Sequence, residues 1–224
     1  MRIIGEKGIF NAAKSGANVI GKDLVLVGGN GAIGTQDKPF TVTLTGDLLN
    51  ARSNDEINLQ KVGADNFRIS AIYSPKAIRI TNAGNGIIER SLRFDEIAAA
   101  YLNTAGEITL AGNAGTANNP ILIRPTETTI LNLTGNNNFY IKGMNTGTVN
   151  LNDISGNVDV SSEGSIGQTA TGAINATSLK VSASGDVTLD GNNKLSEINI
   201  GTIGGKGNKS KRRDVHARRR NSYG

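Results

Sequence analysis

Apolar residues recur at every second position in short runs along this chain, and clusters of Gly, Asn, Asp or Ser separate one run from the next. Alternate positions are filled by Leu24 and Leu26, by Val42 and Leu44, by Ile57 and Leu59, and by Phe67, Ile69 and Ala71. Ile78 and Ile80 follow the turn at residues 73–76. The second half continues with Ile108 and Leu110, Ile121 and Ile123, Leu131 and Leu133, and Val149 and Leu151. Val158 and Val160, Leu179 and Val181, Val187 and Leu189, and Ile198 and Ile200 complete the series. Neighbouring side chains of a strand point to opposite faces, so a period of two predicts strands with one buried face. Gly and Asn sit at the breaks, where the chain must turn with φ > 0.

Even spacing of short strands fits a sandwich or a barrel as well as a β-helix. One unit, however, recurs. Residues 24–40 read as a strand, a glycine-rich turn, a short return strand and a proline-marked corner, and residues 107–123 repeat the plan. In both copies Gly-Thr is followed by three residues, Pro and a new apolar run. Fainter echoes lie at residues 164–168 and 201–205. A recurring supersecondary unit points to repeat architecture. Asn clusters at predicted corners (Asn136 to Asn138, and Asn192 with Asn193) also suit stacked strands, where Asn side chains hydrogen-bond up and down a ladder. At roughly 25 residues per coil and about 4.8 Å per rung, residues 1–205 would form a rod some 35–40 Å long.

One segment breaks the rhythm. Residues 91–102 place Phe94, Ile97, Ala98 and Tyr101 on one helical face, with acids early and Asn103 after it. This predicts a short helix against the side or mouth of the coil, or an irregular insertion between two repeat blocks.

Composition supports a thin core. Gly (29) and Asn (27) make up a quarter of the 224 residues, aromatics are 4% and Trp is absent, so Ile, Leu and Val must fill the interior in narrow layers. Without Cys there are no disulfides, thiolate nucleophiles or Cys metal sites. The net charge of +5 is uneven: residues 206–224 hold eight Lys or Arg and one Asp, leaving 16 basic and 18 acidic residues, or −2, over residues 1–205. That basic tail has no apolar periodicity and is expected to be disordered. No apolar run approaches the roughly 18 residues that would span a bilayer. The first ten residues are too polar for a secretory signal and read like the middle of a β coil, so we expect an internal piece of a longer secreted chain.

Catalytic, cofactor-binding and metal-binding residue sets are all expected to be absent, and no cofactor is implied. The only His, His216, lies in the tail, so the body has no His-based triad, metal pair or base. Gly28, Gly29, Gly31 and Gly34 have spacings reminiscent of a dinucleotide loop, but a strand rather than a helix follows them. A polysaccharide-processing β-helix enzyme would need converging carboxylates with a basic partner. Asp153, Asp159, Asp186, Asp190 and Lys180 are the candidates, weighed against solvated turn residues. Sequons at Asn132, Asn175 and Asn208 are expected by chance in so Asn-rich a chain. The tail could bind phosphate backbones or an anionic surface.

The repeated unit, clearest at residues 24–44 and 107–123 and looser to about Gly205, resembles the shafts of filamentous haemagglutinin-like exoproteins. These include the leukotoxin-type filamentous adhesins. The resemblance implies a right-handed parallel β-helix (solenoid), exported through an outer-membrane pore-type partner to the bacterial cell surface. It implies an adhesin shaft that contacts surface glycans or proteins, without catalytic activity. The chain lacks a secretion module and is far smaller than such shafts, hence the reading as a fragment. The expected architecture is all-β, with a repeat domain over residues 1–205, a short helical insertion at 91–102 and a disordered tail at 206–224.

Overall fold

The computed structural model describes residues 1–13, 15–92 and 101–202. Every regular element among them is a β-strand. The first half contains β1 (Arg2–Ile4), β2 (Val19–Val27), β3 (Phe40–Arg52), β4 (Ile57–Lys61), β5 (Phe67–Tyr73), β6 (Ala77–Asn82) and β7 (Ile88–Arg90). The second contains β8 (Tyr101–Asn103), β9 (Glu107–Ala111), β10 (Ile121–Arg124), β11 (Ile130–Thr134), β12 (Asn138–Gly143), β13 (Val149–Ser162), β14 (Ile166–Ala183) and β15 (Glu197–Thr202). The strands pair in parallel, and each partner lies about one coil further along the chain. The chain is therefore a parallel β-solenoid of about nine turns.

Three ladders build it, of which the third runs from β1 to β15. In the first, Ile9, Ile33, Ile57, Ile78, Ile108, Leu131 and Leu151 stack in register. In the second, Phe67, Ile88, Ala114, Phe139, Val158, Leu179 and Ile198 do so. The third stacks Ile3, Leu26, Ala51, Ile72, Leu102, Ile123, Gly143, Ser162, Ala183 and Thr202. Steps in the third ladder run from 19 to 30 residues, averaging about 22. Ten rungs at about 4.8 Å give roughly 43 Å, a little longer than expected because the coils are shorter. Apolar side chains from all three ladders merge into one buried core, each layer resting on its neighbours.

The repeated motif forms one structure at two places. Ile33 pairs with Ile57 and Phe40 with Leu59, so residues 34–39 loop out opposite Asn58 alone. Likewise Ala114 pairs with Phe139 and Ile121 with Ile141, and residues 115–120 loop out opposite Tyr140. Thr35 and Lys38 exchange backbone hydrogen bonds of 3.0 and 3.2 Å, and Thr116 and Asn119 exchange bonds of 3.0 and 3.1 Å. Each excursion opens on a glycine in the left-handed region, Gly34 at φ 63° and Gly115 at φ 71°. The two copies sit on different ladders, so the motif builds a local turn and not a fixed phase of the coil. The echo at 164–168 does not form this turn, because Ile166 begins β14 directly.

Asn ladders are present. Asn54 donates to Asn30 at 3.1 Å, Asn152 to Asn132 at 2.9 Å and Asn157 to Asn138 at 3.1 Å. Asn193 bonds Gln168 instead. A signal missed in the sequence is the run of buried corner hydroxyls at Ser53, Ser74 and Thr104. Ser53 and Ser74 each donate to a carbonyl one coil back, Gly31 and Asp55, at 2.7 Å. All three accept from the N–H two residues on.

Two expectations are corrected. Ala71 does not continue the inward row of Phe67 and Ile69; Ile72 does, because the pairing shifts where β5 passes from the second ladder to the third. The expected helix over 91–102 ends too late, since Tyr101 and Leu102 belong to β8; its middle, residues 93–100, lies outside the described residues. The tail at 206–224 lies outside them too.

Two inward positions among the described residues hold a basic side chain: Arg90, which donates to Asn119 at 3.1 Å, and Lys61. Lys61 follows Ile57 and Leu59 on the buried face of β4 and is only 2% exposed. Its ammonium donates to the Gly63 carbonyl, and Gly84 on the next coil leaves the room: an added Cβ there would lie 2.8 Å from Nζ. Burial holds the Lys61 pKa below the usual lysine range. The unfolded chain therefore keeps a proton that the folded chain sheds, and stability rises with pH from the depressed value up to the ordinary one. Lys61→Met is expected to stabilise the chain at neutral pH by about 1 kcal/mol, since the exposed Gly63 carbonyl can turn to water. In melting curves the advantage should shrink as pH approaches about 10. A variant less stable at neutral pH would show that the ammonium is a net asset.

Candidate functional site

With the interior filled, chemistry must lie on the outer faces. The five residues weighed as a carboxylate centre do not converge. Asp159 and Lys180 pair across β13 and β14 at 2.8 Å, and that hydrogen-bonded partner raises the Lys180 pKa. Asp153 stands on the other limb of β13, opposite Ala173, and Asp186 and Asp190 are exposed in the segment after β14. Among the described residues no three His, Cys, Asp or Glu side chains gather as metal ligands. His216 lies outside the described residues, as does Asn208. Asn175 is exposed, whereas Asn132 is buried with its amide tied to Glu107 and Thr109.

The glycine-rich stretch is closed to phosphate. A phosphate cradle needs backbone N–H groups left free to converge on the anion. Here the N–H groups of Gly28, Asn30, Gly31, Ile33 and Gly34 donate to the carbonyls of Arg52, Glu6, Gly28, Glu56 and Ile9, at 2.8–3.0 Å. The coil's own ladder consumes the donors. A shallow depression of about 470 Å³, lined by Leu44, Thr45, Gly46, Ala64, Asp65, Asn66 and Arg68, offers no catalytic grouping, and Arg68 is engaged by Glu89 at 2.7 Å.

Two outer faces are organised. On the first ladder, Asn58, Arg79, Thr109 and Asn132 are in register and point away from the core. Arg79 spans Glu56 at 2.8 Å and Glu107 at 3.1 Å, Glu107 accepts from Thr109 and Asn132, and Asn132 accepts from Asn152. These groups satisfy one another, so this face is a polar zipper that locks the rungs.

The third ladder carries a different arrangement. Arg52, Tyr73, Asn103 and Arg124 align on four consecutive rungs, with side chains alternate to the buried Ala51, Ile72, Leu102 and Ile123. A parallel row two residues back holds Tyr101, Leu122 and Lys142. The Arg52 guanidinium lies 5.5 Å from the centre of the Tyr73 ring, and Arg124 lies 4.2 Å from that of Tyr101. Stacking of this kind orients the guanidinium and leaves its N–H edges available. Arg52 and Arg124 are exposed, Lys142 is partly so, and none of the three forms an ion pair with a described residue. By contrast Arg68, Lys76, Arg79 and Lys180 are each paired with a carboxylate. The strip is thus a place where cations on a nearly neutral body stand uncompensated. Compared with protein-family models, with curated proteins and with solved structures, the chain matches none.

Proposed function

We propose that this chain is part of the shaft of a secreted bacterial filamentous adhesin, a non-catalytic rod at the cell surface that works by multivalent contacts. The single observation that supports this most is the unbroken parallel ladder over about nine turns, with its interior filled by side chains. Such a stack grows by adding rungs at its ends, so length costs no new fold and no disulfide. Its outer faces repeat at the rung spacing, and repeated weak contacts gain strength through effective concentration. Export through an outer-membrane pore-type partner, and glycans or proteins on host or bacterial surfaces as the bound partners, belong to the same reading. The test is protease shaving of intact cells of the source organism, followed by mass spectrometry. Peptides from residues 1–202 released before lysis are expected; their release only after lysis would overturn the surface assignment.

A further inference from the structure

We propose that the strip formed by Arg52, Tyr73, Tyr101, Arg124 and Lys142 binds an extended acidic polysaccharide laid along the rod. The inference rests on the reading of the outer faces as the working surface, and it assigns one of those faces a partner chemistry.

Three features carry it. Arg52 and Arg124 are exposed, held against tyrosine rings and without a carboxylate partner among the described residues, so their forks remain open to an external anion. A planar guanidinium takes a carboxylate or sulfate through two parallel hydrogen bonds. The stacking also removes part of the side-chain entropy that binding would otherwise cost. Beside the cations, Asn103 and the tyrosines offer neutral groups to sugar hydroxyls, on the same outer rows.

Spacing decides between anionic polymers. Arg52 and Arg124 are three rungs apart, and Lys142 is one rung beyond Arg124. Three cations are therefore spread over roughly 19 Å. Duplex DNA presents a charge about every 1.7 Å along its axis, several times the density of this strip. A polysaccharide with one acidic group per sugar, or per pair of sugars, comes closer to matching it. Neutral groups between the cations then face sugar rings and hydroxyls.

The experiment uses the full chain and titrates it with polygalacturonate, κ-carrageenan (one sulfate per pair of sugars), neutral dextran and a double-stranded oligonucleotide in biolayer interferometry at several salt concentrations. Two variants accompany it: Arg52→Gln with Arg124→Gln and Lys142→Gln, and a tail variant with the eight Lys and Arg of residues 206–224 changed to Gln. The native chain is expected to bind polygalacturonate or κ-carrageenan in a salt-sensitive manner and to ignore dextran. Which of the two is held tighter tells carboxylate from sulfate recognition. The strip variant should lose at least about tenfold in affinity with an unchanged melting temperature, whereas the tail variant should keep most of the binding. Undiminished binding by the strip variant, loss confined to the tail variant, or strip-dependent preference for the oligonucleotide would each overturn the assignment. Cell-surface shaving is independent of these readouts, so failure here leaves the shaft reading standing and can be told apart from its failure.

Discussion

Leu110→Asp is expected to abolish the single cooperative unfolding transition of this chain. Leu110 is fully buried in the first ladder, between Ile80 and Leu133 on the adjoining rungs. A carboxylate there meets the aliphatic Ile80 and Leu133 above and below. Burying even a neutral polar group without a partner costs about 2–7 kcal/mol, and a charge costs more, so protonation would recover only part of the loss. Domains of ordinary size hold only about 5–15 kcal/mol in total. The position adds to the damage, because in a one-dimensional stack the coupling of both halves runs through each central rung. We expect the calorimetric peak to broaden, split or vanish, while Leu110→Ile stays within about 1.5 kcal/mol of the native chain. Ile33→Asp, nearer one end, should melt the adjacent coils and spare more of the rest. An unchanged transition in Leu110→Asp would mean that this side chain does not point into the coil.

The second large effect is expected at Gly34. Its φ of 63° lies in the left-handed region, and a Cβ would come within 2.4 Å of both the Asn58 carbonyl oxygen and the Phe40 nitrogen. The dihedral alone costs an alanine about 1–2 kcal/mol. Both obstacles are backbone atoms, so relief demands moving the next rung, and we expect a total loss of roughly 3 kcal/mol or more for Gly34→Ala. Gly115→Ala should behave alike, with φ 71° and the Tyr140 carbonyl at 2.5 Å. Two further glycines separate the causes. Gly16 has φ 76° but open space around its would-be Cβ, so its alanine variant should lose only about 1–2 kcal/mol. Gly21 has neither strain nor obstacle, and Gly21→Ala should be neutral or stabilising by up to about 1 kcal/mol. Chemical denaturation of the four variants checks the ranking. Equal losses at Gly34 and Gly21 would remove the close approach from the account of this turn.

The two sets of variants probe the parts of the fold that differ most in how visible they were beforehand. Inward placement of Leu24, Val42, Ile57, Ile108, Leu131 and Val160 followed from their period of two, since a strand has only two faces and apolar groups choose the dry one. The Gly-Thr-x-x-x-Pro corner was visible as a repeated phrase. Its geometry was not, because half of the crowding at Gly34 comes from Asn58, which belongs to the next coil. Ala71 was misplaced for a related reason: the alternation restarts wherever a strand crosses from one ladder to another, and that crossing is set by the neighbouring rung. The candidate site shows the same division. Asp159 and Lys180 lie 21 residues apart and meet because one coil separates them, whereas Asp153, near Asp159 in sequence, stands at the other end of the bent strand. Arg52 and Arg124 lay unremarked among 24 basic residues, Tyr73 was read as part of a turn and Tyr101 as part of a helical face, until the register aligned them.

Local preference and periodicity are properties of a few adjacent residues, so the chain's order alone was enough to declare strands, glycine turns, thin aliphatic layers and a repeating coil. Which residues stack on which depends on the length of every intervening coil, here 19 to 30 residues, and a shift of one position exchanges inside for outside. The buried corner hydroxyls, the enclosed Lys61, the closed polar zipper and the open arginine strip are all consequences of that register. Only the wound chain could decide them, because each is made by residues about one coil apart that become neighbours at a separation of about 4.8 Å.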